Sequence, residues 1–361
     1  MLLSGNTVPL PVSSDVMHAF TQAVVTNDDE HGDGFQLTFT LSKGLLDFGL
    51  VSDGTFDPFT RVTIAAVLGV VPEVLVDGWV THHELTPGDR PGTSTLTVTG
   101  RDMGAKLDLE EKNEAFDNQP DFVIVNRLLL PMARYGVVPQ VTPTTDVPIS
   151  VSRTPWQNET DLQFLKRTAR RNGFVTYFEP VTLGVSRAYW GPELRGGLPQ
   201  PALTTNMGPS DTVKRIGFSY DSLAPEAPSG EFVDPIFGLS LPIPSLPSLR
   251  VPPLALSSAP AYRRTRLRDT ANRSATQAAL TELAAQTNAP DAITGTGELD
   301  TIRYGNILRA RRLVGVRGVG RTYDGMYYVK RVQHRITVGS YTQSFSLSRE
   351  GTGALLPVVV A

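Results

Sequence analysis

Runs in which apolar and polar residues alternate are the feature that most restricts how this 361-residue chain can fold. From Phe35 to Leu41 every second side chain is apolar, and the residues between them are Gln or Thr. Because neighbouring side chains of a strand point to opposite faces, this run predicts a half-buried strand. Similar or β-branched runs predict further strands at 62–71, 74–83, 93–99, 313–319, 326–338 and 341–349. The first third and the last quarter of the chain are therefore predicted to be mostly β.

Apolar residues at helical spacing lie between these two β regions. The segment 121–135 has this spacing, but Pro131 within it predicts a kink, because proline removes a backbone donor and clashes with the preceding turn. In the segment 158–172, Asn158 is predicted to cap a helix with acidic residues in its first turn and basic residues in its last, and Gly173 is predicted to end it. Two further elements are predicted, a buried strand at 174–178 and an Ala-rich helix at 273–288.

The segment 225–260 contains nine prolines interleaved with Leu, Ile, Val and Phe. Proline at that density excludes a regular helix or a central strand. The apolar content argues equally against a solvated linker. Two interpretations stay open, a loop packed on its own domain or an arm that lies along a neighbouring subunit. In the second interpretation, residues 231–256 are buried against a neighbouring subunit or a separate partner protein.

The two β regions also resemble each other in detail, which suggests an internal repeat. A shift of 252 positions, the distance from Val80 to Val332, aligns two pairs of strands, and a slightly shorter connection aligns a third pair. The aligned residues are Val62 and Ile64 with Val314 and Val316, Val80 and His82 with Val332 and His334, and Leu96 and Val98 with Phe345 and Leu347. This pattern predicts two copies of one small antiparallel barrel, and chance matching of Val-rich strands is the alternative. A trimer of such a chain would present six similar surfaces in a ring.

Composition narrows the class of function. The chain has no cysteine, which excludes disulfides, thiolate metal sites and a cysteine nucleophile. A formal net charge of −3 provides no general attraction for nucleic acid or anionic lipid, so proteins are the expected partners. No stretch approaches the roughly 20 apolar residues that span a bilayer, and the N-terminus lacks the basic start of a secretory signal. We therefore expect no membrane partner and no specific nucleic-acid binding.

Two groups of residues are candidates for a metal site. His82 and His83 are adjacent, with Glu84 next to them, but adjacent strand residues point to opposite faces and are badly placed to share an ion. The acidic turn 28–34 contains several carboxylates, yet it lacks the alternating ligands and the distal Glu of a Ca²⁺ loop. We interpret the acidic turn as a solvated hairpin loop.

Sequence motifs of catalysis are missing as well. There is no Gly-x-Ser-x-Gly elbow and no P-loop, and no pair of carboxylates has a privileged position. Arg309, Arg311 and Arg312 predict a basic strand edge, which is either solvated or placed to meet an acidic partner surface. We therefore predict no catalytic, cofactor-binding or metal-binding residues, and no cofactor.

Three segments carry a family resemblance: STLTVTGRDMGAKLD at 94–108, WQNETDLQFLKRTARRNGFVTYF at 156–178, and the segment at 303–351 that begins RYGNILRARRLVGVRG. In this order they resemble the end of the first barrel, a recurring helix–glycine–strand segment and the closing barrel of baseplate hub proteins. These hubs belong to contractile phage tails and phage-like injection systems, and they are related to the hub part of type VI secretion spike proteins. None of the three segments is catalytic.

The resemblance implies a homotrimeric hub whose six barrels join the threefold symmetry of a spike to the sixfold symmetry of an inner tube. The implied partners are the inner-tube protein, a spike protein and other baseplate proteins. Type VI relatives fuse hub and spike, whereas this sequence ends ten residues after Gly351, so a separate spike is expected. Assembly is expected in the bacterial cytoplasm, as part of a phage-tail-like particle that is released in some systems.

These inferences predict an α+β, β-dominated fold with two tube-protein-like antiparallel β-barrels and an inserted α/β domain. The function is predicted to be structural and not enzymatic. One alternative is a tail-associated cell-wall hydrolase, which requires a cleft with converging titratable groups, and another is a β-rich adhesin or carbohydrate-binding module, which requires exposed aromatic platforms. The predicted domains are a first barrel at 1–111, the α/β domain at 112–206, a second barrel at 207–223 and 293–355, and the proline-rich arm with the Ala-rich helix at 224–292.

Overall fold

The computed structural model describes residues 1–5, 9–41, 49–90, 92–148, 153–233, 239–268, 270 and 274–355. The strands are β1 (Leu2–Gly5), β2 (Leu10–Pro11), β3 (Phe20–Asp28), β4 (Gly34–Leu41), β5 (Arg61–Val67), β6 (Pro72–Thr86), β7 (Ser94–Asp102), β8 (Glu111–Ala115), β9 (Val137–Val141), β10 (Trp156–Thr160), β11 (Val175–Thr182), β12 (Val185–Gly191), β13 (Gln200–Thr204), β14 (Val213–Tyr220), β15 (Glu226–Ser229), β16 (Glu231–Val233), β17 (Ser240–Pro242), β18 (Ala255–Ser258), β19 (Arg263–Arg266), β20 (Ile293–Asp300), β21 (Leu313–Arg317), β22 (Gly325–Thr337), β23 (Ser340–Arg349) and β24 (Gly351–Ala354). The helices are α1 (Ser14–Ala19), α2 (Gly49–Ser52), α3 (Asp121–Leu129), α4 (Asp161–Arg171), α5 (Ala275–Asn288) and α6 (Thr301–Tyr304).

The prediction of a β-dominated chain is confirmed, with 47% strand and 19% helix. The alternating run that begins at Phe35 forms β4, whose apolar side chains are buried while Gln36 and Thr40 are exposed. On β23, Phe345 and Leu347 are buried and Ser344 is exposed, as the alternation predicts. These faces build two cores, one for each β region.

Strand pairing joins the two β regions into a single sheet of thirteen described strands. Its order is β14-β20-β23-β22-β3-β4-β7-β6-β5-β1-β2, with β21 beside β22 and β13 beside β21. The pairings among the described strands close neither of the two predicted barrels. The reason lies in β22: a bulge at Val329/Arg331 divides it, so that its first half pairs with β21 and its second half pairs with β3 of the other region.

The internal repeat is visible in the strand order. Strands β3-β4-β7-β6-β5 of the first region correspond to β14-β20-β23-β22-β21 of the second. Bulges occur at corresponding places, between Phe20 and Gln22 and between Val213 and Arg215 on the first strand of each set. On β6 and β22 the bulges lie at Val80/His82 and at Val329/Arg331.

The same bulges correct the sequence alignment of the repeat. Aligned by hydrogen bonds, Val80 corresponds to Val329 and not to Val332, so the offset in this strand is 249 positions and not 252. Likewise Val98 corresponds to Phe345. Val98 lies two residues before Gly100, the partner of Val80, and Phe345 lies two residues before Leu347, the partner of Val329. The two bulges mark equivalent positions in the two strands, whereas an alignment of apolar residues alone has no such fixed point and slips by three positions.

The segment predicted as an inserted domain, 112–206, differs from its prediction in two local details, and it is called the inserted region below. Helix α4 begins at Asp161 with Thr160 as its N-cap, and Asn158 instead lies in β10, paired with Asn113 of β8. Pro131 ends the helical hydrogen bonding of α3, and the chain continues as a 3₁₀ turn at Leu130–Tyr135. The core of this region also takes in Trp79 and Met103 from the first β region.

The proline-rich segment packs on its own chain along one side. Phe232 and Ile243 are buried against Ala278 of α5, and Leu254 is buried against Leu313 and Tyr328 of the second β region. Its backbone is also bound: the Glu282 carboxylate accepts a hydrogen bond from the Leu246 amide at 2.9 Å, and the Thr287 hydroxyl accepts one from the Leu249 amide at 3.0 Å. Its other side is exposed, at Leu239, Leu241, Val251 and Leu256. Ile236, Phe237 and the predicted helix start at Arg273 lie outside the described residues.

Candidate functional site

A buried ion pair lies where the two β regions meet. The Arg311 guanidinium donates to both carboxylate oxygens of Asp33, at 3.1 Å to Oδ2 and 2.5 Å to Oδ1, and to the carbonyl oxygen of Asp28 at 2.6 Å. Its side chain is 3% exposed and that of Asp33 is not exposed at all. The same guanidinium lies 4.2 Å from the ring centroid of Tyr177, so it also contacts the inserted region. The carboxylate partner raises the pKa of Arg311, against the effect of burial.

A hydrogen-bonded chain of side chains continues from this pair through the junction. The Asn27 amide donates to Asp33 at 2.8 Å, and its oxygen lies 3.1 Å from Nε2 of His334 on β22. Nδ1 of His334 lies 2.8 Å from the Tyr341 hydroxyl and 3.1 Å from the Gln343 amide nitrogen. His334 is fully buried, and burial together with the nearby Arg309 lowers its pKa to about 3. The imidazole is therefore neutral in the folded protein.

Two carboxyl groups near the ion pair have raised pKa values. Burial raises the pKa of Asp29 to about 7, partly offset by the Lys330 ammonium. Burial, and after it the charge of Asp33, raises the pKa of Asp102 to about 6. Asp102 also accepts hydrogen bonds from the Asp33 amide at 2.9 Å and from the Gly104 amide at 2.8 Å, which fix the turn against the end of β7.

Two predictions about charged segments are therefore wrong. The acidic turn is not a solvated hairpin loop, because Asp28, Asp29 and Asp33 are buried. The arginine row is not a solvated edge either: Arg311 binds the acidic turn, and Arg309 is paired with Glu73 at 2.9 Å, while Arg312 is largely exposed. Each segment is the partner of the other, and a buried charge is stable only with such a partner.

A second ionic cluster anchors the proline-rich segment. Arg195, at the end of the inserted region, donates to Glu193 at 2.6 Å, to Glu350 at 2.7 Å and to Asp291 at 3.3 Å. Arg250 of the proline-rich segment reaches Asp291 at 3.1 Å. Glu350 also accepts hydrogen bonds from the backbone amides that follow Pro253. No sequence pattern marks these residues, since they come from four separate segments of the chain.

The residues weighed as metal ligands do not come together. His82, His83 and Glu84 are all exposed on the outer half of β6. Within the described ranges, no three His, Cys, Asp or Glu side chains are grouped so as to hold a metal ion. In the same residues, no helix has both the length and the apolar character needed to cross a membrane.

Two concave surfaces of the described residues are open to partners. One is a shallow groove of about 640 Å³ across β14, β20, β23 and β22, lined by Arg215, Arg331, Gln333 and Phe345 among others. The other is a smaller apolar cavity of about 200 Å³ at the base of the proline-rich segment, between Leu254, Leu313 and Met326. The groove is open and its lining is about equally polar and apolar, so it suits a protein surface better than a small apolar ligand.

Comparison with known proteins gives a consistent result at the level of the fold. No protein-family model matches the chain. No curated protein sequence matches it either. Among solved structures, it is similar to the 43 kDa tail protein of prophage MuSo2 from Shewanella oneidensis, with 15% identity, a TM-score of 0.61 and 97% of each chain covered.

Two further structures are similar over most of the chain. The tail protein from Neisseria meningitidis MC58 is 15% identical, with a TM-score of 0.60, over 92% of this chain and 93% of that one. A component of the type VI secretion system of E. coli, described as structurally similar to T4 bacteriophage tail proteins, is 11% identical, with a TM-score of 0.57, over 94% of this chain and 78% of that one. The chain therefore has the fold of phage tail proteins and of a type VI secretion component, and the predicted resemblance to the baseplate hub family is confirmed in the fold.

Proposed function

We propose that this protein is the structural central hub of a phage-tail-like, contractile injection baseplate. The observation that carries the proposal is a fold likeness that extends over nearly the whole chain to phage tail proteins and to a type VI secretion component. In this role the protein forms a homotrimer that joins a hexameric inner tube to a trimeric spike carried by a separate protein. It contacts other baseplate proteins, and it is assembled in the bacterial cytoplasm within the particle.

The internal repeat supports the symmetry part of the proposal. Two β regions with one strand order and matching bulges give a trimer six similar units. Six units match a hexameric tube on one face, while three chains match a trimeric spike on the other. The domain limits of 1–111, 112–206, 207–223 with 293–355, and 224–292 belong to this proposal.

The proposal includes the absence of enzymatic activity. The buried charges of the junction and of the Arg195 cluster bind one another and do not converge on a cleft. The alternatives are a tail-associated cell-wall hydrolase and a β-rich adhesin. Zymography on cell-wall substrate tests the first, and turnover abolished by a single carboxylate substitution would contradict the hub proposal.

The first experiment measures the assembly state of the protein. Light scattering at micromolar concentration should give three times the chain mass of 39.1 kDa. A clean monomer under these conditions would contradict the homotrimer. A trimer that also sediments with purified tube protein would support the adaptor role.

The proline-rich segment offers a second experiment on partners. Its exposed residues, at Leu239, Leu241, Val251 and Leu256, form an apolar outer side that we propose contacts a neighbouring hub subunit or the spike. The variant Leu239→Ser/Leu241→Ser keeps the buried anchors Phe232 and Ile243, so it should fold normally but weaken trimer or spike association. Unchanged association in this variant would reduce the segment to a loop packed on its own domain.

A further inference from the structure

Two of the strand edges that have no partner among the described strands are related by the repeat. One is β14, which pairs only with β20. The other is the outer edge of β6 from Thr81 to Thr86, which lies beyond the last residue paired with β5. Both carry mostly exposed side chains, and a Cβ built on Gly217 in the middle of β14 would meet nothing within 4 Å. Open edges with free backbone donors and acceptors are templates for a further strand.

The internal repeat identifies what belongs at these edges. Strand β14 corresponds to β3, and the second half of β6 corresponds to the second half of β22. Within the chain those two counterparts are paired with each other, antiparallel, from Gln22–Thr337 to Asp28–Arg331. The two edges that pair with each other in the β3–β22 junction are thus the counterparts of the two open edges, on β14 and on β6.

From this correspondence we infer that β14 of one protomer pairs with the second half of β6 in a second copy of this chain. The inference rests on the homotrimer of the proposed function and names the contact that forms it. In a ring of three chains, this contact alternates with the β3–β22 junction and produces six equivalent strand junctions. Such a head-to-tail contact uses two different surfaces of each protomer, as a closed ring requires.

The offsets of the repeat also set the register. Residues of β3 and β14 correspond at the distance that separates Phe20 from Val213, which also separates Gln22 from Arg215. Residues of β6 and β22 correspond at the distance that separates Val80 from Val329. Applied to the β3–β22 register, these two distances place Glu84 opposite Ser219 and Leu85 opposite Phe218.

The chemistry of the inferred pairs fits this register. Leu85 and Phe218, both half-buried in the single chain, would cover each other. The pair that corresponds to Glu84 and Ser219 in the existing junction is Gln333 and Thr26, whose side chains are hydrogen-bonded at 3.3 Å. His82 would face Asp221, at the place where Arg331 faces Asp28 at 3.9 Å in the existing junction.

Because the chain has no cysteine, disulfide crosslinking tests the register without background. The variant Glu84→Cys/Ser219→Cys should be converted by mild oxidation into a covalent trimer, seen on a non-reducing denaturing gel and reversed by a reductant. The matched control is Glu84→Cys/Tyr220→Cys, which is one residue out of register and so places the two thiols on opposite faces. We expect at least about ten-fold more covalent trimer in the first variant than in the control, because disulfide geometry is strict.

A reference variant, Thr26→Cys/Gln333→Cys, should form an intrachain disulfide across the existing junction with no change in mass. If light scattering gives a trimer but the first variant crosslinks no better than the control, the inferred strand contact is overturned and the hub proposal stands. A ladder that ends at a covalent dimer overturns the ring. A monomer in light scattering overturns both the contact and the homotrimer.

Discussion

The two β regions make the same backbone turn before equivalent strands, but with different side chains. Phe59 precedes β5 with φ of 62°, and Arg311 precedes β21 with φ of 63°. Both amides bind the carbonyl oxygen at the bulge of the next strand, Phe59 to Val80 and Arg311 to Val329, each at 2.7 Å. A positive φ is unusual for residues other than glycine, so its occurrence at both places marks one shared backbone design.

The side chains at this turn serve different purposes. The Phe59 ring packs on the core of the inserted region, with the Lys106 ammonium 4.7 Å from its centroid. Arg311 instead places a charge at the contact between the two regions, where it binds Asp33. The comparison teaches that the backbone of the repeat is retained, while the side chains differ where one copy must recognise the other. Four variants examine this difference, taken from the largest expected effect to the smallest.

The variant Arg311→Met should have the largest effect on stability. It leaves the Asp33 carboxylate buried without its cation, and breaking a buried pair in this way costs about 3–5 kcal/mol. Chemical denaturation measures the loss as a lower midpoint. Arg312→Met, at the exposed neighbour, is the control and should change the free energy of unfolding by less than about 0.5 kcal/mol. Equal effects would show that the junction does not depend on this ion pair.

Leu347→Ala should cause the next largest loss of stability, because it leaves a cavity in the core of the second β region. Leu347 is fully buried, and a Leu to Ala change in such a site costs about 2–5 kcal/mol. Ser346→Ala, one position earlier on the other face of β23, should cost little. If both variants shift the denaturation midpoint equally, the assigned faces of the strand are wrong.

Gly100→Ala examines the position of the first region that corresponds to Leu347. An added Cβ would lie 2.1 Å from the Phe35 ring and 2.5 Å from the Trp79 carbonyl oxygen, so the strands must shift. We expect a loss of about 1–3 kcal/mol in the free energy of unfolding. Gly217→Ala on β14, where the added atom meets nothing within 4 Å, is the matched control. A neutral Gly100→Ala would mean that the two regions tolerate the same side chain at this position.

His334→Gln should change how stability depends on pH. The pKa of His334 is lowered to about 3 by burial, whereas in the unfolded chain it is near 6.5. Between these values the unfolded chain binds a proton that the folded protein does not, so stability falls as pH decreases from 6.5 toward 3, by at most about 1.4 kcal/mol per pH unit. Removing the imidazole should flatten this slope in denaturation measured at pH 4 to 7.

Asp29 and Asp102 titrate in the same pH range. The prediction for His334 therefore concerns the difference in the slope of stability against pH between the variant and the parent protein. The raised pKa values of Asp29 and Asp102 act in the opposite direction, since folded protein then holds protons that the unfolded chain loses above pH 4. The control is His18→Gln, at an exposed position of α1, which removes an imidazole but keeps the buried one. A parent slope that survives in His334→Gln would contradict a buried, neutral imidazole.

The alternation of apolar and polar side chains made several strands of both β regions predictable. The residues from Phe35 to Leu41 and from Phe345 to Leu347 have the predicted faces, because alternation depends only on neighbours along the chain. The cap of α4 was missed for a related reason. Asn158 and Thr160 both suit an N-cap, and only the pairing of β10 with β8 decides that Asn158 is extended and that Thr160 begins the helix.

The sequence by itself therefore determined the strands that alternate most clearly, their buried faces and the likeness of the two β regions. The tertiary structure alone decided which elements meet. Asp33 and Arg311 are 278 positions apart, and no local pattern states that the acidic turn and the arginine row bind each other. Only the strand pairing likewise shows that Val80 corresponds to Val329, three positions away from the match that apolar residues alone suggest. Local spacing controls which way a side chain points, but burial of a charge depends on a partner that only the folded chain brings near.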